Sequence, residues 1–442
     1  MISVLNDQNL YDIDTGDFNS TIKNNTNQSG LAYFMQYSQL ENSNQKAKDF
    51  KTMRAVSKKS FSSSNLKTAL SNQSSPRNLV KNQLELIDSI QFDIFALNEI
   101  QNENTAIIIA SEILNRYEYV QQGFIHFEML SSFIKKVSSS YDRKKVIYHN
   151  DLHAADVLQT LNTMISRGNL KDKMLLTNLD TFAILIGAFC HDLKHTGQNN
   201  TYHINARTKI AMRYNDISVL ENCHTAQTVK LVSQPAYDIF ANFKPEEFRI
   251  IRRRIIEGII STDMAYHQKV LSNVRGKTDL YQIKEGHNFQ KMFSQDNDKL
   301  FDEQQIILNM CLHSSDVSNP AKPEHISKAW TTRVYDEFFK QGELEKEKGL
   351  PISLLCDRKT TDINKAMIGF INFVVMPSMD MLCNLIPEIR FYSENVRINL
   401  RYYIKEVEIS NEADKESSDS DSNSNSNSGS DSDSENEKSK DK

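Results

Sequence analysis

Glycine and proline are scarce, at 13 and 8 residues in a chain of 442. With so few breakers, and with Leu, Ile, Met, Lys, Glu and Gln plentiful, long stretches are free to be helical. Strand-like alternation is scarce as well, so the expected fold class is all-α. The five cysteines (Cys190, Cys223, Cys311, Cys356 and Cys383) are odd in number, widely spaced and contain no CxxC pair. That excludes a disulfide frame or a thiolate zinc site and fits reduced thiols in a cytoplasmic protein. The N-terminus, MISVLNDQNL, lacks the basic region and apolar stretch of a signal peptide. No apolar run approaches the ~20 residues of a membrane helix, so no membrane span is expected. An excess of positive charge is missing too. The net charge of −5 comes from the C-terminus: Asn411 to Lys442 hold ten acidic and four basic residues, which leaves about +1 on everything before. A near-neutral body gives no electrostatic case for nucleic-acid binding.

What is present divides the chain in three. Residues 1–80 are rich in Asn, Ser, Gln, Thr and Lys and read as a disordered leader, with a short helix expected near Leu31 to Leu40. From Arg77 onward Leu79, Val80, Leu84, Leu86, Ile87 and Ile90 begin helical periodicity. One apolar helix-like segment then follows another across 85–405, among them the stripe Val157, Leu158, Leu161, Met164 and Ile165. The segment 411–442 alternates Ser with Asp, Asn and Glu and reads as a disordered tail. Its serines beside acidic residues suit an acidophilic kinase, although a solubilising tail explains the composition equally well.

Four clusters in the helical region carry chemistry-bearing residues. In GAFCHDLKHTGQNN, His191 and Asp192 end an apolar run, and His195 follows one helical turn after His191. In YHNDLHAAD, His149 and His153 are again four apart, with Asp156 beyond them. LHSSDVSNP brings His313, Asp316 and Asn319, and YNDISVLENCH brings Glu221 and Asn222. Imidazole and carboxylate suit zinc, and a carboxylate can bridge to a harder ion such as magnesium or manganese. Any one cluster alone is more often capping, packing or chance. Four in one helical domain outweigh that explanation.

These clusters resemble the class I 3′,5′-cyclic nucleotide phosphodiesterases, HD-type metallophosphohydrolases, across nearly all of 85–400. The signature His-Asp-apolar-x-His-x-Gly-x-x-Asn is met by His191, Asp192, Leu193, His195, Gly197 and Asn200. Further landmarks are YHN at Tyr148 to Asn150, HAAD at His153 to Asp156, LEN at Leu220 to Asn222, TDM at Thr262 to Met264, SNP at Ser318 to Pro320 and EFF at Glu337 to Phe339. The resemblance implies a compact multi-helix domain in which His153, His191, Asp192 and Asp316 hold a zinc ion and Asp192 also reaches a magnesium (or manganese) ion. Two such metals lower the pKa of water between them and offset charge on the phosphoryl oxygens. The resemblance further makes His149 the general acid toward the departing 3′ oxygen, with Glu221 as the carboxylate that keeps it cationic. His195 is expected to bond to metal-bound water.

The family clamps the purine between a Phe and an aliphatic residue while a Gln amide reads the base edge. Phe370 and Val334 fit the two faces, with Tyr148, Met264 and Asn319 completing the expected nucleotide pocket. The glutamine position holds Met367. A thioether cannot donate and accept as an amide does, and each unpaired group costs roughly 1–3 kcal/mol, or about ten- to a hundredfold in affinity. Two smaller departures are Lys194 inside the signature and Cys223 in LENCH. The expected activity is metal-dependent hydrolysis of cAMP, cGMP or both to the 5′-monophosphate in signalling. The alternative is a phosphodiesterase-fold scaffold that has lost turnover through Met367. Retention of His149, His153, His191, Asp192, Glu221 and Asp316 favours the enzyme. A homodimer is one assembly this reading admits, and cAMP against cGMP stays open.

Overall fold

The computed structural model describes residues 76–294 and 296–424; the expected helix near Leu31 to Leu40 lies outside them. Among the described residues the architecture is helical, and pairing of strand type is confined to an isolated bridge between Lys284 and His287. The helices of eight residues or more are α1 (Pro76–Glu85), α2 (Ile94–Gln101), α3 (Thr105–Leu114), α4 (Phe127–Ser138), α5 (Asp151–Arg167), α6 (Asn178–Cys190) and α7 (Val219–Val232). They continue as α8 (Pro245–Ile260), α9 (His267–Leu280), α10 (Asn297–Asp316), α11 (Glu324–Glu347), α12 (Ile363–Phe370), α13 (Met376–Leu385) and α14 (Arg390–Ser424). Packing begins in α1, ahead of residue 85, where Val80 and Leu84 lie against the core. At the other end α14 runs unbroken past residue 411 into the acidic segment, as far as Ser424.

Two central helices carry the site on their ends. In α5 every residue from Asp151 to Ile165 is buried, so the amphipathic stripe read from sequence becomes a helix surrounded by others. Its start is fixed by Asn150, whose Oδ1 accepts from Leu152 N at 3.0 Å while its Nδ2 donates to Ile147 O at 3.0 Å. The asparagine of the YHN motif is thus a helix cap. Helix α6 opens on a capping box between Thr177 and Asp180 and is buried from Leu179 to Cys190. Asp180 also accepts from Arg254 Nε at 2.9 Å, and Arg254 Nη1 donates to Gln305 Oε1 at 2.9 Å. This buried pair ties α6, α8 and α10 together, and with them the ends that bear His191, Asp192 and Asp316. A Cβ at Gly258 would stand 2.7 Å from Ile184 Cδ1 and 3.3 Å from Leu312 Cδ2, so glycine permits the close crossing of α8 on α6 and α10.

The region around α12 and α13 departs from the sequence reading. Ile363–Leu385 spans 23 residues at mean hydropathy 1.6, long and apolar enough by length and composition to cross a membrane. Scattered Asn and Ser residues conceal that length when apolar runs are sought residue by residue. Within the fold the stretch is not one regular rod. Ile371–Val375 forms a π turn just before Pro377, which has no N–H to give the preceding turn. Ile371, Val374, Val375 and Met379 are fully buried against the rest of the core, as expected of a core helix.

Candidate active site

His153 on α5, His191 and Asp192 at the end of α6, and Asp316 at the end of α10 converge on one point. One ligand atom of each lies within 4.8 Å of the others. His153 Nε2 is 3.0 Å from Asp316 Oδ1 and 3.7 Å from Asp192 Oδ2. His191 Nε2 is 3.3 Å from both Asp192 Oδ2 and Asp316 Oδ1. His191 Nδ1 donates to Ala188 O at 2.8 Å, which leaves Nε2 as the lone pair turned to the centre. His191 Nε2 and Asp192 Oδ2 are buried and without hydrogen-bond partners. Two imidazole nitrogens and two carboxylate oxygens turned to one buried point are what a divalent cation requires, so the residues fit a bound metal. The electrostatics agree. Burial opposes charge on His191, yet Asp192 and Asp316 outweigh it and raise the imidazole well above its ordinary value. The two carboxylates call for positive charge at this point.

A second cluster stands beside the first. His149 donates from Nδ1 to Glu337 Oε1 at 2.5 Å, and Glu337 Oε2 accepts from Tyr148 N at 2.7 Å and His149 N at 3.3 Å. Burial works against the His149 cation, but Glu337 lifts its pKa to about 9. The imidazole in turn overcomes the burial of Glu337 and holds that carboxyl at about 2. His149 is therefore cationic at neutral pH, and its partner is Glu337, not Glu221. The Glu221 carboxylate instead accepts from Asn200 Nδ2 at 3.0 Å, while Asn200 Oδ1 accepts from Leu220 N at 2.9 Å. The final asparagine of the signature thus fastens the start of α7. Burial first, then the neighbouring Asp263, raises Glu221 to about 8.

Glu337 carried a signal in the sequence, since it opens the EFF landmark; the role could not be read because the pair joins residues 188 apart. His224 was missed as well, although it ends the LENCH segment. Its Nδ1 donates to Leu193 O at 2.8 Å, and its Nε2 stands 3.7 Å from Asp192 Oδ1 without a hydrogen-bond partner. His195 lies between the clusters, stacked on His149 at 4.1 Å and on His224 at 5.6 Å. Burial and the adjacent His149 cation push His195 well below its ordinary value. Its Nδ1 accepts from Gly197 N at 3.0 Å, so the proton sits on Nε2, a form suited to donating to water. Lys194 adopts φ 65 and is exposed, which turns its charge to solvent.

The expected nucleotide pocket is partly assembled. Tyr148 is buried, and its hydroxyl accepts from Asn319 Nδ2 at 2.5 Å. Met264 is half-buried at the head of the turn Met264–Tyr266. Val334 on α11 and Phe370 on α12 are both half-buried and pack on the core. Met367 is buried, with Thr331 Oγ1 donating to its Sδ at 3.9 Å. Thr331 lies one turn from Val334 on α11.

The model of the 3′,5′-cyclic nucleotide phosphodiesterase family matches residues 148–396. The chain is 36% identical over 303 residues to the dual specificity calcium/calmodulin-dependent 3′,5′-cyclic nucleotide phosphodiesterase 1 of Drosophila melanogaster, covering 69% of this chain and 34% of that protein. It is 33% identical over 306 residues to the mouse (Mus musculus) 1B form, covering 69% of this chain and 54% of that protein. The chain thus spans about a third to a half of the length of these curated relatives. Among solved structures, the phosphodiesterase domain of the RhoPDE fusion protein of the choanoflagellate Salpingoeca rosetta superposes with TM-score 0.65 at 29% identity, covering 74% of this chain and 97% of that one. LmjPDEB1 in complex with IBMX superposes with TM-score 0.64 at 26% identity, covering 76% of this chain and 99% of that one. With the family's model matched over more than half its length, the chain belongs to the 3′,5′-cyclic nucleotide phosphodiesterases.

Proposed function

We propose that this chain hydrolyses a 3′,5′-cyclic nucleotide, cAMP or cGMP, to the 5′-monophosphate with two divalent cations, zinc and magnesium (or manganese). The observation that carries the reading is the pairing of two devices: four convergent ligand atoms beside an imidazole kept cationic by Glu337. His153, His191, Asp192 and Asp316 would hold the first cation, and Asp192 would also serve the second. Bound there, the cations supply an activated water at neutral pH and neutralise the phosphoryl oxygens. His149 presents its proton to the departing 3′ oxygen, and Glu337 fixes the ring's orientation and charge. Neutral His195, stacked on that ring, orients water through Nε2. Glu221 is gripped by Asn200 at the start of α7 and does not bear on His149.

Met367 gives the scaffold alternative its one specific support, because nothing amide-like stands at that position. The enzyme reading is the stronger, since the Met367 change lies outside the groups that hold metal or protons. A cytoplasmic location and an acidophilic kinase acting on the serine-rich tail belong to this reading as proposals. Turnover of cAMP and cGMP by the purified chain with zinc and magnesium tests it. No turnover in metal-loaded protein would favour the scaffold.

A further inference from the structure

The last helix reaches the expected nucleotide pocket through one stripe of side chains. Asn395, Asn399 and Tyr403 recur every four residues on α14 and so share a face. Asn395 Nδ2 donates to Ala321 O at 3.2 Å, and Asn399 Nδ2 donates to Pro320 O at 2.7 Å and Lys322 O at 2.9 Å. The Tyr403 hydroxyl meets Thr331 Oγ1 at 2.9 Å, behind Met367. The three carbonyls that the asparagines hold are consecutive and follow Asn319 directly. On the opposite side of the same turn, Lys322 Nζ is 3.0 Å from Asp156 Oδ1 and 3.1 Å from Gln159 Oε1, both on α5.

The turn Asn319–Ala321 is a single 3₁₀ turn, too short to satisfy its own outward carbonyls. Asn399, 1% exposed, supplies two of the missing donors. Asn319 itself makes one side-chain bond, to Tyr148, and its buried Oδ1 has no hydrogen-bond partner. The placement of that free oxygen thus rests on two supports, the bond of Asn319 to Tyr148 and the backbone of the turn, and Asn399 holds the second. Asp316 is placed otherwise, at the end of α10 against His153 and His191.

We infer that Asn399 is a positioning residue for nucleotide binding, acting through Asn319 and touching no substrate itself. The inference rests on the phosphodiesterase reading above. It separates two outcomes that a merely structural asparagine would not: binding of the base weakens, whereas chemistry at the metal centre persists. In the full chain, KM and kcat for cAMP and cGMP are measured with zinc and magnesium for wild type, Asn399→Leu, Asn395→Ala and the exposed control Glu394→Ala. Hydrolysis of bis(4-nitrophenyl) phosphate, a diester with no base, is followed beside them.

For Asn399→Leu, KM should rise about tenfold, the factor expected when two buried bonds to the turn are lost. Its kcat and its base-free turnover should stay within about threefold of wild type, because no group that bears metal or proton is altered. Asn395→Ala, which loses one longer bond, should raise KM by about two- to threefold, and Glu394→Ala should match wild type. A folded Asn399→Leu with unchanged KM overturns the inference, as does base-free turnover that falls in step with nucleotide turnover. Should Asn399→Leu fail to fold, Asn395→Ala decides by the same criterion. A wild type that cleaves no cyclic nucleotide removes the functional reading and this inference with it, whereas an insensitive KM removes the inference alone.

Discussion

Replacing Glu337 by glutamine keeps the size of the side chain and removes the charge that holds His149 cationic. Glu337 Oε2 already accepts two backbone N–H groups, from Tyr148 and His149, so the amide oxygen must take that place. The amide NH2 then faces His149 Nδ1 and forces it to accept, which leaves a neutral ring. Without its carboxylate, burial pulls the pKa down while only Asp192 and Asp316 still raise it, so the value falls from about 9 toward the ordinary range. With the pKa at about 9, about 97% of the ring is protonated near pH 7.5; at the ordinary 6.5 the fraction is about 9%. The population alone costs about tenfold in kcat, and the poorer acid strength of the neutral ring extends the loss toward a hundredfold.

The sign follows from the raised pKa. Wild-type kcat should hold through neutral pH and fall as pH rises through about 9, where His149 loses its proton. In Glu337→Gln the alkaline limb should move to lower pH, with part of the activity recovered in acid. Glu221→Gln should leave that limb in place, because Glu221 bonds to Asn200 and not to His149. Steady-state kcat between about pH 5.5 and 10 checks both. An unmoved limb in Glu337→Gln, or a moved one in Glu221→Gln, would refute the assignment.

Asp316→Ala should remove one of four convergent ligands and lower zinc occupancy at least tenfold, as read by elemental analysis after dialysis. Met367→Gln should lower KM about tenfold without raising kcat, since the new amide would lie beside the Thr331 hydroxyl that now faces the thioether. Lys322→Met should cost about 3–5 kcal/mol in urea unfolding, because Asp156 would lose its ion-pair partner in a site where both side chains are 3% exposed. The double variant Lys322→Met, Asp156→Leu should recover much of that loss.

The sequence disclosed the parts of the site that are local and the general outline of the fold. Helical periodicity marked α5 and α6, and the spacing of His149 from His153 and of His191 from Asp192 survived intact because those residues share a helix or its end. The metal ligands could be named because the family's motifs quote them. Glu337 could not be paired from sequence, since α11 must fold back on the segment before α5 to deliver it. Glu221 drew the wrong role for the same reason: a carboxylate in the first turn of α7 gives no hint that Asn200 will claim it. Asn150 illustrates the converse, a motif residue whose use proved to be capping. The stripe Asn395, Asn399 and Tyr403 was silent in the sequence because polar residues at helical spacing usually mark a solvated face. Here the helix turns that face inward.

The most direct measurement is turnover of cAMP and cGMP by the purified chain with zinc and magnesium, beside an Asp192→Ala control. Hydrolysis to the 5′-monophosphate that disappears in the control, together with its bound metal, is the expected result. Full metal occupancy in the wild type with no hydrolysis of either nucleotide would contradict the assignment of this site to cyclic nucleotide hydrolysis.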